Sequence, residues 1–228
     1  MRSVFNKFIK IIVIYFLLVT TVTAEELMVF NFTEEELNSL DVRKVRGADA
    51  KTFYSIGSNE NGNYLKAEAV NAASGVGKEI KINLDKTPFI NITWKIEKDL
   101  KGIKENTKKG HDFAARVFVI KKTGATPLSN RAINYVFSSN SNVGETWPSP
   151  YTKKSIDRVL ASTKSNLNEW VTVKANVKED FKKFHDLEVK ELSGIAIMVD
   201  TDNSKLTAVS YYQNIFFPLS KSLIKILF

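Results

Sequence analysis

Apolar residues in this chain recur with a period of two, in short runs separated by turn residues, from Leu27 to Phe217. Helices need a period near 3.6, so this pattern constrains the fold more than any other feature. Pro88–Glu97 (PFINITWKIE) shows it best, with Ile90, Ile92, Trp94 and Ile96 on one face and Phe89, Asn91, Thr93 and Lys95 on the other. That is a strand with one buried and one wet face. Comparable runs cover Leu27–Phe32, Thr52–Ile56, Asn63–Val70, Lys78–Leu84, Phe113–Lys121, Arg131–Phe137, Ser155–Ala161, Glu169–Val177, Leu192–Val199 and Thr207–Phe217. The Gly/Ser/Asn-rich stretches Gly57–Gly62 and Asn71–Gly77 read as turns, and Asp41–Ala50, Lys98–Gly110 and Ser138–Tyr151 as loops. Helical spacing is confined to Glu34–Leu40 and Lys178–His185, where Phe181 and Phe184 share a face. Strands without intervening helices cannot build parallel βαβ units. The expectation is therefore all-β: an antiparallel, jelly-roll-like β-sandwich of about ten strands with one short helix near 178–185.

The first residues lie outside this pattern. Arg2, Lys7 and Lys10 precede the apolar run Ile11–Val19, and Val22-Thr23-Ala24 closes with small residues. A basic start, a short apolar middle and a small-x-small exit make a secretory signal peptide over 1–24, cleaved after Ala24. The apolar run is shorter than the ~20 residues a spanning helix needs, so no transmembrane span is expected after cleavage. The protein is then periplasmic or secreted. Residues 25–217 are expected to form one β-sandwich domain. Pro218–Phe228 reads as an amphipathic tail, with Leu219, Leu223, Ile226 and Leu227 opposed to Lys221 and Lys225. Such a tail suits either covering one end of the sandwich or peripheral contact with a membrane.

The formal charge of +8 falls once Arg2, Lys7 and Lys10 are removed, and the remaining lysines are spread rather than bunched. A nucleic-acid binder needs a clustered basic face, so nucleic acid is not an expected partner. The chain has no cysteine, which excludes disulfides, thiolate metal sites and a cysteine nucleophile.

Chemistry-bearing residues collect at strand ends. Leu192–Asn203 (LSGIAIMVDTDN) runs from a buried strand into Asp200, Asp202 and Asn203. Oxygen ligands at alternate positions suit Ca²⁺, although the glycine and distal glutamate of an EF-hand are missing. The other reading is an Asx-rich turn whose carboxylates accept backbone N–H groups. Asp112 and Arg116 stand at i and i+4, on one face if both lie on a strand. A buried Arg116 then requires a carboxylate, from Asp112, Asp200 or Asp202. The loop Ser138–Tyr151 carries Trp147 and Tyr151 beside Pro148 and Pro150. Their rings either stack on a sugar or pin the loop to the sandwich. Arg131 and Asn134, on the adjoining strand, could add hydrogen bonds to a ligand. His111 and His185 are the only histidines, and neither has catalytic or metal-ligand spacing.

Five fragments together are similar to one exported bacterial family. They are Gly110–Ile120 (GHDFAARVFVI), Arg131–Phe137 (RAINYVF), Ser149–Thr152 (SPYT), the Trp170-to-Phe181 pattern and Gly194–Asn203 (GIAIMVDTDN). They resemble the family catalogued as domain of unknown function three-zero-four-seven, from about Leu27 to Phe217. At His111 the family tends to carry an acidic residue. The resemblance implies export and a β-rich domain, and brings no activity with it. A fold-level likeness to carbohydrate-binding and galactose-binding-like jelly rolls rests on Trp170, Asp180-Phe181 and Tyr212–Phe217.

These observations lead to an exported binding module of the periplasm or envelope, with a saccharide or another polar envelope component as ligand. In this reading Trp147 and Tyr151 stack. Asp112, Arg116, Arg131 and Asn134 give hydrogen bonds, and Asp200, Asp202 and Asn203 bind the ligand or hold a structural Ca²⁺. No other cofactor is expected. Two alternatives stay open. One is a carbohydrate-active enzyme using Asp112 with Asp200 or Asp202. The other is a structural envelope protein acting through protein contacts.

Overall fold

The computed structural model describes residues 26–126 and 129–219, which contain thirteen strands. Residues 1–24, expected from the sequence to be a signal peptide, and all but the first residues of the tail 218–228 lie outside them. In chain order the first seven strands are β1 (Glu26–Met28), β2 (Arg43–Lys44), β3 (Phe53–Asn59), β4 (Gly62–Val70), β5 (Ala73–Asn83), β6 (Phe89–Lys98) and β7 (Ala115–Lys121). The remainder are β8 (Arg131–Ser138), β9 (Thr146–Ser149), β10 (Thr152–Ser162), β11 (Val171–Asn176), β12 (Glu191–Asp200) and β13 (Thr207–Pro218). They form two sheets. One has the order β11-β6-β13-β4-β3, with β1 also on β13, and the other the order β2-β5-β12-β7-β8-β10-β9.

The two-residue period decides which face of each sheet is buried. Ile90, Ile92, Trp94 and Ile96 of β6 meet Val117 and Val119 of β7, Ile133, Tyr135 and Phe137 of β8, and Ile195, Ile197 and Val199 of β12 in one apolar layer. Each is essentially inaccessible to water. Fully burying such a side chain stabilises by about 1.5–3 kcal/mol, so a one-residue register slip would forfeit the whole layer. Within this layer Trp94 meets the Tyr212 ring edge-on and the Phe137 ring at a tilt.

Three α-helices among the described residues close gaps. Helix α1 (Glu34–Ser39) starts where Thr33 Oγ1 accepts the Glu36 N–H, while Glu36 accepts the N–H groups of Asn31 and Phe32. This reciprocal capping satisfies donors that a helix start leaves unpaired. A single turn, α2 (Thr163–Asn166), follows β10. Helix α3 (Val177–His185), capped by Asn176, turns Phe181 into the core and Asp180 onto the Tyr135 hydroxyl and Arg158. No helix among the described residues is long and apolar enough to cross a membrane.

The structure departs from the sequence expectations in several places, beginning with the two glycine-rich turns: of Gly57–Gly62 only Glu60 and Asn61 lie between strands β3 and β4. Asn71–Gly77 is not a turn: only Asn71 and Ala72 lie between strands, and Gly75 and Gly77 belong to β5, paired with Met198 and Ala196. The stretches 41–50 and 138–151 contain the short strands β2 and β9. Pairing is not wholly antiparallel, because β8 and β10 run parallel. A parallel crossover needs about a dozen residues, usually helical. Here the segment between Ser138 and Thr152 is long enough without a helix, and it turns back as β9 on the far side of β10. Finally, Asp112 precedes β7 rather than lying on it with Arg116.

Candidate functional site

The candidate residues converge on the outer face of the seven-stranded sheet. Alternation along β12 sends Ile195, Ile197 and Val199 inward and Ala196, Met198 and Asp200 outward. Arg116 and Phe118 of β7, and Asn134 and Val136 of β8, share that outer phase.

At one end of this face the Arg116 guanidinium pairs with Asp200 Oδ2, while Asp200 Oδ1 accepts the Phe113 N–H at 3.0 Å. Asp112 is fully buried and receives the backbone N–H groups of Asn203 and Ser204, at 3.2 and 2.6 Å, and the Asn203 amide at 2.8 Å. These carboxylates therefore do what an Asx-rich turn requires, and Arg116 has found its partner. Carboxylate oxygens of Asp112, Asp200 and Asp202 lie within 4.8 Å of one another. Burial raises the Asp200 carboxyl to about 6, with Asp112 adding to the rise and Arg116 opposing it. Burial, then Asp112, raises Asp202 as well. These three acids are the group that could meet a cation. Asn203, expected as a ligand, is turned away: its amide oxygen accepts from the Tyr151 hydroxyl at 2.7 Å and its NH₂ faces Asp112. Tyr151 is 56% exposed, packed edge-on against His111, and is the ring that this corner offers to solvent.

Beside the corner lies a buried chain of hydrogen bonds that the sequence did not reveal. His111 Nε2 donates to Asp157 Oδ2 at 2.8 Å, and the Asn134 amide donates to Asp157 Oδ1 at 2.7 Å. Ser155 Oγ donates in turn to the Asn134 oxygen. Asp157 is fully buried. In sequence it resembles any outward charge on an alternating strand, and only the loops folded over this face enclose it. Trp147 contributes to that cover. Its ring stacks on Phe113 at 6.5 Å and packs against Val136 and Val159, which pins β9 to the sheet. Arg131 is not part of the group. It pairs with Lys121 at the far end of β7, on the core-facing phase of β8, and donates to the Ser129 carbonyl. A strand end holds two opposite phases and two distant ends, and spacing alone did not separate them.

Toward the other end of the same face a groove of about 480 Å³ opens over β5, β12 and the end of β7. Gly75, Gly77, Gly194 and Ala196 form its floor, with Ile120 beside them. The small residues are required by close approach. A Cβ at Gly77 would stand 2.7 Å from Ala196 Cβ and 2.8 Å from the Ile195 carbonyl, and one at Gly194 would be 3.2 Å from the Lys78 carbonyl. Glu79 on β5 and Lys122, just past the end of β7, flank Gly194 and reach across it to pair at 2.5 Å. Asp41 and Arg43 pair at 3.0 Å on the opposite rim. The floor is thus small and apolar and both rims carry charges of both signs. Glycine inside a strand pattern is a sign of close approach, and it was the available signal for this groove. Ala196 and Asp200 are four residues apart on one phase of β12, so groove and acidic corner lie about 13 Å apart.

Among solved structures, the fold is similar to the family 30 carbohydrate-binding module of a cellulosomal cellulase from Clostridium thermocellum. The TM-score is 0.46 and the identity 6%, over 86% of this chain and 99% of that one. It is also similar to a thermostable cellulase derived from a Rhodothermus marinus enzyme, with a TM-score of 0.43 and 11% identity over 78% of this chain and 94% of that one. Likenesses this distant carry no argument about ligand or activity. No curated protein sequence matches the chain. A family model described as a protein of unknown function, DUF3047, matches residues 38–216, and the chain belongs to that family.

Proposed function

We propose that this protein is an exported binding module of the periplasm or cell envelope, and that its ligand is a saccharide or a similarly polar envelope component lying in the groove. The observation that carries this reading is the groove itself, with Gly75, Gly77, Gly194 and Ala196 as floor and the pairs Asp41–Arg43 and Glu79–Lys122 as rims. A sugar ring has apolar C–H faces and hydroxyls around its edge. A floor of three glycines and one alanine admits the ring, and rims of both signs supply donors and acceptors to the hydroxyls. An extended ligand following β12 would reach Tyr151 and Asp202 at the other end.

The position of the carboxylates weighs against the enzyme reading. Asp112 and Asp200 are buried and already bonded to protein donors, whereas a glycosidase pair must face its substrate from both sides. The test is thermal unfolding of the exported protein against a panel of neutral envelope glycans, beside an Ala196→Trp variant that fills the groove. A ligand at about 100 times its Kd adds ~2.7 kcal/mol, a shift of roughly 5–10 °C at this size. Binding by the wild type and not by Ala196→Trp supports the reading. A flat panel, or equal shifts in both proteins, overturns it and turns attention to protein contacts.

A further inference from the structure

The solvent face of the other sheet carries a second group that nothing above uses. On the outward phases of β4, β6 and β13, and at the start of β11, Tyr64, Trp170 and Tyr211 gather with ring centroids 5.5–6.1 Å apart. The Lys95 ammonium stands 4.2 Å over the Tyr211 ring and 5.6 Å over Trp170. Further along the same two strands Lys174 stands 4.2 Å over Phe89. Between them the Thr93 and Thr172 hydroxyls meet at 2.9 Å. The Tyr64 ring lies directly on Gly57, where a Cβ would come within 2.4 Å of it, so the ring is seated by the absence of a side chain beneath.

Two features set this stripe apart from an ordinary wet face. Large rings on the outward phase add nothing to the inter-sheet core: Tyr211 is buried by its neighbours, while Tyr64 and Trp170 are half-buried and keep part of their rings open to water. The two lysines stand over ring faces, and neither has a carboxylate in ion-pair range among the described residues. Other lysines on the protein, such as Lys66 with Glu68 and Lys178 with Asp85, do pair with acids. Lys95 and Lys174 are held in place yet keep their charge available. Lys174 pairs in register with Asn91, four residues from Lys95, so the two cations are separated by about 13 Å along the strands.

We propose that this stripe is a second binding site, for an extended acidic polysaccharide. Sugar rings would stack on Tyr64 and Trp170, the uronate carboxylates would meet Lys95 and Lys174, and hydroxyls would meet Thr93, Thr172 and Glu97. Glu97, which accepts from the Tyr211 hydroxyl at 2.6 Å, and Glu68 stand beside the rings. They accept hydroxyl protons, which every ring of a polyuronate offers and a phosphodiester backbone largely lacks, and this favours a glycan over a single-stranded nucleic acid of equal charge. The inference shares with the groove reading only the ligand's being a saccharide, and it concerns the opposite face.

The test is calorimetric titration of the exported protein with a polygalacturonate oligomer, its methyl ester and a single-stranded oligonucleotide. The variants are Lys95→Gln/Lys174→Gln, Trp170→Ala and the groove-filling Ala196→Trp. The expected result is binding of the polyuronate, weakened about tenfold by the double lysine change, as two exposed charge contacts would give, and equally by esterification. Trp170→Ala should abolish it and Ala196→Trp should leave it unchanged. Equal affinity for the ester, or for the oligonucleotide, overturns the proposal, as does no binding of the polyuronate. Loss in Ala196→Trp alone moves the polyuronate to the groove, which overturns this site and leaves the groove standing.

Discussion

Replacing Asp200 by Asn should change how stability depends on pH, and the direction follows from its surroundings. Its carboxyl is enclosed beside Asp112, and burial raises it from the ordinary 3.8 to about 6 against the pull of Arg116. A gap of about two pH units corresponds to ~3 kcal/mol. The folded state holds this proton more tightly than the unfolded chain does. The stabilisation is therefore fully present below the unfolded value near 4 and is lost as pH rises through about 6. Asn at this position does not titrate. The unfolding free energy of the wild type relative to Asp200→Asn should fall by ~3 kcal/mol between about pH 4 and about pH 7. Urea denaturation of both proteins at intervals across that range measures the difference directly, and the other carboxylates cancel in it. A difference that instead rises with pH would refute the reasoning. It would mean that the Arg116 pair outweighs burial and holds the Asp200 carboxyl below its ordinary value.

Three further outcomes are expected. Asp180→Ala should cost about 3 kcal/mol in urea denaturation, because it strips the partner from the buried Tyr135 hydroxyl and from Arg158, with Asp180→Asn much milder. Gly77→Val should cost about 1–3 kcal/mol or prevent expression, since the atoms its Cβ meets belong to Ala196 and the Ile195 backbone and cannot swing aside. Excess Ca²⁺ should leave the melting temperature unchanged, because the Asp112 and Asp200 oxygens already accept protein N–H groups and Arg116 stands among them. A rise of about 5 °C that chelator reverses would make Asp112, Asp200 and Asp202 a metal site.

The site was legible in the sequence to the extent that local rules governed it. Asp112, Arg116, Asp200, Asp202, Asn203 and Tyr151 meet at one corner, because all but Arg116 lie at strand ends or in loops and the buried Arg116 requires a carboxylate. The pairing of His111 with Asp157 is not legible in the sequence, since an outward charge on a strand and a lone histidine have no local mark of burial. Arg131, a candidate ligand residue in the sequence, lies at the far end of β7 and on the core-facing phase, because pairing register is a property of two strands and not of one. The glycines of β5 resemble a turn in the sequence, since the same residue that permits a turn also permits close packing of two strands.

The sequence by itself determined the two-residue alternation, and with it the strands, the sandwich and the composition of its apolar layer. Those follow from burial of alternate side chains, which each segment encodes on its own. The tertiary structure alone decided the parallel β8–β10 pair, the enclosure of Asp157, the glycine-floored groove and the ring cluster of Tyr64, Trp170 and Tyr211. Each of these joins residues tens to over a hundred positions apart, and their contact depends on which strands become neighbours, in which register, and on which face.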